Sequence, residues 1–387
     1  RFVGDDTQKY VASQIAGESP DVVIASDVQV TFFDDNGLIE PLDAYLTSWS
    51  DYRAGYFNQE ILDMCRGRDG KVLGLPVYQH SPAFYAVRSD WLNKLGLESP
   101  ETFAEAHNVW TAFTFQDPDG NGEDDTYGFE LSMATARGQH VSSLTPFMCA
   151  VRVPWYTLDE NGGYLPAFNT PNAAFVPDFI KQCYKEGLFG KDAMERGANV
   201  SPSYLFFSQA AAGMASHYAS DWFMRVANQH GLADSVKIVP FLWQDREAKR
   251  RKQYGTFANL TRMRCLMKAG RNKEVAWQYL QYFFSREWLS KTFVYRGQPF
   301  IRGRYLGMFG LFTNEPPWRM LRNDVIPEIP ADEEIVRLIK PLDDYVIRHP
   351  LMSAWTEVSV ALAEVFVDYY LDRYPESQAA LDEAERR

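Results

Sequence analysis

Several familiar chemistries are missing from this sequence. It contains no H-E-x-x-H, no G-x-S-x-G and no phosphate-binding P-loop, which removes common signatures of zinc proteases, α/β-hydrolases and nucleotide hydrolases. Cysteine is scarce. Cys65, Cys149, Cys183 and Cys265 lie far apart without a C-x-x-C, so metal-knuckle spacing is absent. Cys183 falls on the apolar face of a helical pattern, where a buried thiol is the plain reading; disulfide pairing is left open. The six histidines are scattered. Basic residues are the minority: 39 Lys and Arg against 51 Asp and Glu leave a net charge of −12. That argues against nucleic acid as a partner, because a phosphate backbone needs a basic face. No run of roughly 18 apolar residues could span a bilayer. Repeats, low-complexity tracts and Pro- or Ser-rich linkers are also absent.

What is present is a long apolar chain. At 387 residues and 46% hydrophobic it exceeds one ordinary core, so two lobes are expected. SPDVVIAS, KVLGLPV, AFYAV and VKIVPF have strand length and apolar content. Helical patterns interleave with them. DWLNKLG has Asp90 as cap and Gly96 as stop. TFAEAHNVWTAF opens with Thr102 and Glu105 as a capping box. TPNAAFVPDFIKQCYKEG has Thr170 as cap, Pro171 at the first helical position and Gly187 as its end. NKEVAWQYLQYFFSREW carries Val275, Ala276, Tyr279, Leu280, Phe283 and Phe284 as one stripe, and WTEVSVALAEVFVDYYLDRY is the last long helix. This interleaving is the α/β signature.

DPDGNGEDDTYGF, residues 117–129, concentrates five carboxylates directly after a helix. Counted from Asp117, oxygens fall at positions 1, 3, 5, 7 and 9: Asp117, Asp119, Asn121, the carbonyl of Glu123, and Asp125. Gly122 stands at position 6, where a calcium loop needs its sharp turn. The bidentate Glu expected at position 12 is missing, and Gly128 is there instead. Asp124 or Asp125, or water, would supply the remaining oxygens. The strand-like TYGFEL follows, so this is helix–loop–strand, and a structural Ca²⁺ is expected. The alternative is a solvated acidic turn.

The chain has 10 Trp and 21 Tyr. Most belong in cores by base rate, but some sit beside polar groups at element ends. Trp155 and Tyr156 lie in VPWYTLDENGG; Tyr218, Asp221 and Trp222 in HYASDWF, after His217; Trp355 in HPLMSAWTEV. Rings there suit sugar faces, while polar neighbours take hydroxyls.

The ordered pieces GESPDVVIASD, GKVLGLPV, AFYAVRSDWLNKLGLESPETFAEA, SQAAAGMASHYASDWF, RNKEVAWQYLQYFFS and SQAALDEAERR resemble bacterial extracellular solute-binding proteins of ABC importers. The resemblance is to the carbohydrate-binding, maltodextrin-type branch and covers nearly the whole chain. DPDGNG with YGF resembles a calcium loop of some oligosaccharide binders, including alginate binders.

The resemblance implies a two-lobe α/β fold of the periplasmic-binding-protein type 2 class with a sugar cleft between the lobes. It puts 1–81 plus 256–302 in the first lobe and 82–255 plus 303–387 in the second, which carries the calcium loop 117–128. Crossings are implied near Ser81–Pro82, near Gly255–Asn259 and after Arg302. Trp222 matches the tryptophan that stacks on sugar, Trp155 or Tyr156 another aromatic, and Trp355 a third. Asp27 stands where the first lobe offers a polar contact, and Tyr78 and His80 stand at the first crossing. The implied partners are an oligosaccharide and the importer permease. The implied setting is extracytoplasmic, as a monomer that meets the membrane only through a possible lipid anchor outside this sequence. The family begins with a strand–helix–strand unit that is almost wholly absent before DDTQKY, so native N-terminal residues are expected to precede Arg1.

Two other readings compete. A glycosidase needs two carboxylates facing one bond, for which Asp27, Asp221 and Glu357 are candidates. A calcium-stabilised adhesion module would need no small ligand. The basic run Lys249 to Lys252 reads as a solvated loop, with acidic sugars or the importer as alternative contacts.

Overall fold

The computed structural model describes residues 7–53, 62–63, 65–67, 69–81, 84–135, 138–190, 193–195, 212–217, 229–240, 242–251, 253, 256–283, 294–295, 298–299, 346–348 and 354–387. Strands and helices alternate along them. The chain runs α1 (Thr7–Ile15), β1 (Val22–Ser26), α2 (Asp27–Asp35), β2 (Ile39–Glu40), α3 (Asp43–Ser48), α4 (Ser50–Arg53) and β3 (Leu75–Ser81). Next come β4 (Phe84–Arg88), α5 (Ser89–Leu95), α6 (Phe103–Phe115), β5 (Tyr127–Glu130) and α7 (Gln139–Ala150). The hairpin β6 (Tyr156–Leu158) and β7 (Tyr164–Pro166) precedes α8 (Pro171–Lys185), β8 (Ala212–His217), β9 (Val236–Pro240) and α9 (Arg246–Arg250). The chain continues with β10 (Thr256–Met267), α10 (Lys273–Phe283), β11 (Val294–Tyr295), β12 (Gln298–Pro299), β13 (Val346–Arg348), α11 (Trp355–Tyr370) and α12 (Ser377–Arg386).

Two compact units result. One comprises Arg1–Ser81, Ala258–Val336 and His349–Trp355; the other comprises Pro82–Phe257, Arg337–Arg348 and Thr356–Arg387. The chain therefore changes unit after Ser81 and after Phe257. The third expected crossing, after Arg302, lies outside the described residues.

In the first unit β10 is the strand on which others assemble. β1 runs antiparallel to it from Val22↔Leu266 to Ser26↔Arg262, and β2 and β3 also pair with it. β1 alternates, burying Val23 and Ala25, as a period of two requires. The strand then becomes helix without a loop. Ser26 Oγ accepts from the Gln29 N–H, and Gln29 Oε1 accepts from the Ser26 N–H at 3.0 Å, a complete capping box. The core gathers Val30, Phe33, Leu42, Leu73, Met263, Cys265 and Leu280.

α10 departs from the expected stripe. Ala276, Trp277 and Leu280 are buried, while Val275 and Tyr279 are 65% and 41% exposed. Trp277 sets the phase. Its ring lies 5.3 Å from Tyr45 and 5.5 Å from Trp49, and burying the largest ring turns its neighbours outward.

The second unit holds a four-stranded sheet in the order β5-β8-β4-β9. β4 is antiparallel to β8 and β9, and β5 is parallel to β8. Trp91, Trp110, Phe103, Phe113, Phe129 and Phe147 are fully buried. Trp110 stacks on Phe129 at 4.6 Å, and Phe103 on Phe147 at 5.8 Å, so many of the aromatics noted in the sequence are core.

The helix ends show where local signals worked. Thr170 caps α8 with Pro171 at its first turn. Thr102 Oγ1 accepts from the Glu105 N–H at 3.3 Å, but Glu105 Oε2 accepts from Glu101, one residue before the cap. The expected capping box is therefore only half made. Asp90 is not a cap. α5 starts at Ser89, and Asp90 instead takes both Nε and an Nη of Arg88, at 2.8 and 2.6 Å. Among the described residues no helix is long and apolar enough to cross a membrane.

Candidate functional site

The described carbohydrate candidates lie on several elements. Asp27 is the first residue of α2, directly after the Ser26 cap. Tyr78 and His80 belong to β3, whose last residue is Ser81. His217 closes β8 opposite Phe84. Tyr218, Asp221 and Trp222, which follow it, lie outside the described residues.

Trp155 requires a correction. It is 3% exposed, its Nε1–H donates to Thr145 Oγ1 at 3.0 Å, and its ring lies against Phe168 and Phe366 at 6.2 and 6.3 Å. A ring that stacks on sugar must offer a face; Trp155 has committed its faces and its polar edge to the core. Tyr156 is half-buried on β6 and meets Tyr164 edge-on at 4.9 Å. Trp355 opens α11 and is also buried, at 8% exposure.

The acidic loop leaves α6 and returns as β5. Thr126 Oγ1–H donates to the Phe113 carbonyl at 2.8 Å, and the Gly128 N–H to Thr114 Oγ1 at 3.0 Å, pinning its far end to the helix. Within it, Asp117 Oδ1 accepts from the N–H groups of Gly120 and Asn121 at 2.8 and 3.1 Å, and Asp117 Oδ2 from Gly122 at 3.2 Å. Gly120 and Gly122 both take φ +82°, which favours glycine. Asn121 Nδ2 donates to Asp119 Oδ2 at 3.0 Å and to both Asp125 oxygens at 3.3 and 3.2 Å. Its amide protons thus occupy the position of positive charge between two carboxylates. Burial raises the Asp119 carboxyl, the Asn121 N–H lowers it, and negative Asp117 and Asp125 raise it, leaving it above the ordinary value. Lys94 on α5 donates to the Asp117 carbonyl at 3.0 Å, a contact no local pattern announced.

These groups fit a hard cation in kind: carboxylates, an amide and carbonyls around a turn. As they stand, no three His, Cys, Asp or Glu side chains among the described residues gather into a metal-ligand group. Position 12 has a steric answer. A Cβ on Gly128 would lie 2.3 Å from Trp110 Cβ and 2.5 Å from Trp110 Cα, so β5 has no room there for the glutamate of an EF-hand.

The basic run is committed to ion pairs. Lys249 meets Glu101, Arg246 meets Glu105 at 3.0 Å, and Arg250 and Arg251 share Glu247 at 2.6 and 2.5 Å. Lys252 lies outside the described residues. Glu101, Glu105, Arg246, Lys249 and Arg250 line an open recess of about 480 Å³. Exposed pairs of this kind contribute little, in keeping with a solvated surface.

Residues 2–289 match the family described as bacterial extracellular solute-binding protein, and the chain belongs to that family. It is 30% identical over 194 residues to lipoprotein LipO of Bacillus subtilis, covering 48% of this chain and 36% of that protein. It is 27% identical over 265 residues to the fructooligosaccharide ABC transporter substrate-binding protein FusA of Streptococcus pneumoniae, covering 62% and 46%. The chain thus spans less than half the length of these curated relatives. The fold is that of a solute-binding protein from Thermotoga lettingae bound with α-D-tagatose, with a TM-score of 0.71, 16% identity, and coverage of 98% and 87%. Maltose-bound T. maritima MalE3 gives a TM-score of 0.67, 16% identity, and coverage of 98% and 86%. These neighbours establish the α/β two-lobe fold expected from the sequence.

Proposed function

We propose that the protein binds a carbohydrate outside the cytoplasm, an oligosaccharide in the first instance, and delivers it to the permease of an ABC importer. The family match over residues 2–289 carries this reading. A relative named for fructooligosaccharide, another named for polygalacturonan and rhamnogalacturonan, and solved neighbours holding tagatose and maltose support it. The protein acts as a monomer, and a lipid anchor outside this sequence would hold it at the membrane. It binds without chemistry. Ring faces pack on sugar C–H groups and neighbouring polar groups take hydroxyls.

Calorimetry against neutral and acidic oligosaccharides tests this directly. At least one should bind, and none should be shortened on prolonged incubation. Appearance of shorter products would favour the glycosidase reading, and silence across the panel the adhesion reading. Trp222→Ala should weaken binding at least several-fold with the fold retained, since an aromatic contact contributes about 1 kcal/mol. A large loss of stability with affinity intact would make Trp222 a core residue instead.

In the same reading one Ca²⁺ is held by Asp117, Asp119, Asn121, Asp125 and the carbonyl of Glu123, offsetting the negative charge that Asp117 and Asp125 place beside Asp119. Ca²⁺ should raise Tm, EDTA should reverse the rise, and Asp125→Ala should abolish the response while sugar affinity stays unchanged. A melting curve indifferent to Ca²⁺ and EDTA would leave the loop a solvated acidic turn.

A further inference from the structure

Asparagine is followed by glycine three times, at Asn36–Gly37, Asn121–Gly122 and Asn161–Gly162. All three asparagines are exposed, and no neighbouring atom lies within 4 Å of where a Cβ would stand on any of the three glycines. Crowding therefore does not distinguish the pairs; the bonds of each carboxamide do. Asn36 ends α2, where its Nδ2 donates to the Phe32 carbonyl at 2.8 Å and the Gly37 N–H to the Asp34 carbonyl at 2.9 Å. That helix is anchored by buried Val30 and Phe33. Asn121 is held at both ends of its amide. Its Nδ2 donates to Asp119 and Asp125, and its Oδ1 accepts from the Glu123 N–H at 2.7 Å.

Asn161 differs. It sits at the tip of the β6–β7 hairpin, in an unbroken exposed run over residues 157–166. Its backbone N–H donates to Asp159 Oδ1 at 2.8 Å, but among the described residues its carboxamide has no hydrogen-bond partner. The Gly162 N–H donates to the Asp159 carbonyl at 3.1 Å, which closes the turn. The ribbon pairs only from Tyr156↔Pro166 to Leu158↔Tyr164; its feet, Trp155 and Phe168, are buried. A short two-stranded ribbon is marginal without a covering layer. Its turn opens at lower cost than the core-anchored α2 or the cross-bonded acidic loop.

We propose that Asn161 is a self-modification site, at which the folded protein deamidates ahead of its other Asn–Gly pairs. When the turn opens, the Gly162 backbone nitrogen gives its proton to water or hydroxide and attacks Asn161 Cγ. An N–Cγ bond forms and the Cγ–Nδ2 bond breaks. Nδ2 takes up a proton and leaves as ammonia, and a succinimide ring closes. Water then adds to one of the two ring carbonyls. Addition at Cγ breaks its bond to the Gly162 nitrogen and leaves aspartate. Addition at the main-chain carbonyl carbon leaves isoaspartate, whose main chain runs through Cγ. Amide and water become acid and ammonia, with no change of oxidation state. Glycine at 162 permits the attack because no side chain shields its nitrogen.

Either product adds a negative charge beside Asp159 and Glu160. Isoaspartate also lengthens the main chain by one carbon, which displaces the Gly162 and Gly163 N–H groups from Asp159, their present acceptor. The inference is independent of the sugar and the metal proposed above.

The native full chain, incubated in mildly alkaline buffer beside the same chain in urea, is sampled by peptide mapping. In the native chain the peptide holding Asn161 should be the first to exchange its amide NH2 for OH, at least several-fold faster than those holding Asn36 and Asn121. In urea the three should react at similar rates, since glycine follows each. Asn161→Gln, whose longer side chain cannot close the same ring, should remove the first acidic form seen on ion exchange. Native reaction at Asn36 or Asn121 as fast as at Asn161, the same order of rates in urea, or an Asn161 that stays intact in the native chain would overturn the proposal.

Discussion

Gly128→Ala should destabilise the second unit by at least about 3 kcal/mol, the upper part of the range for overpacked cores. The new methyl would enter a space where Trp110 Cβ, Cα and carbonyl O all lie within 2.6 Å of it. Two of these are backbone atoms of α6, which cannot turn aside as a side-chain tip can. The strand must move off the helix, and that movement breaks the stacking of Trp110 on Phe129 at 4.6 Å. Gly122→Ala is the control. It lies in the same loop, has φ +82°, and nothing stands within 4 Å of its Cβ; it should cost only the left-handed strain of about 1 kcal/mol. Urea denaturation of both variants checks the contrast. Equal midpoints for Gly128→Ala and the parent would mean that β5 does not approach α6 as described.

Acidification should remove about 3 kcal/mol of stability through His140 alone, because each tenfold difference in proton affinity between folded and unfolded chain is worth about 1.4 kcal/mol. This side chain is wholly buried at the start of α7. Its Nδ1 lies 3.0 Å from the Ser132 carbonyl and so carries the proton it donates, and its Nε2 accepts from Tyr370 Oη at 3.0 Å. The neutral ring is fully satisfied; an added proton on Nε2 would turn Tyr370 Oη into the acceptor and leave its hydroxyl proton to find a new partner in a dry site, beside a buried charge. Burial accordingly pushes the imidazolium pKa down from 6.5 to about 4, against a smaller opposing effect of the Ser132 carbonyl. As pH falls, the unfolded chain takes up this proton first. The stabilisation is therefore complete above about pH 6.5, drains between 6.5 and 4, and is lost in full below 4. His140→Gln can keep a donor and an acceptor but does not titrate. Its stability should change less than the parent's between about pH 7 and pH 4.5, a window that spans most of the histidine titration. Parallel curves for the two proteins would remove His140 as the cause.

Signals acting within one helical turn were readable from the chain. Thr170 and Pro171 announced the start of α8 because a cap and a proline at the first turn act on their own backbone. The order of short segments announced the family, since each preserves a local pattern. Net charge argued against nucleic acid, and the missing long apolar runs against a spanning helix, without reference to any fold. Burial followed other rules. In VAWQYLQYFF eight of the ten positions are apolar or aromatic, so periodicity fits more than one face; Tyr45 and Trp49, far earlier in the chain, chose it for Trp277. Trp155 looked like a ligand residue because polar and loop-forming neighbours surround it in sequence, yet Thr145, Phe168 and Phe366 enclose it in space. Gly128 read as a ligand missing from a calcium loop until Trp110 showed that no side chain fits. Lys94 beside Asp117 left no trace in the sequence. Contacts of this kind depend on which elements pack together, and only the tertiary structure decides that.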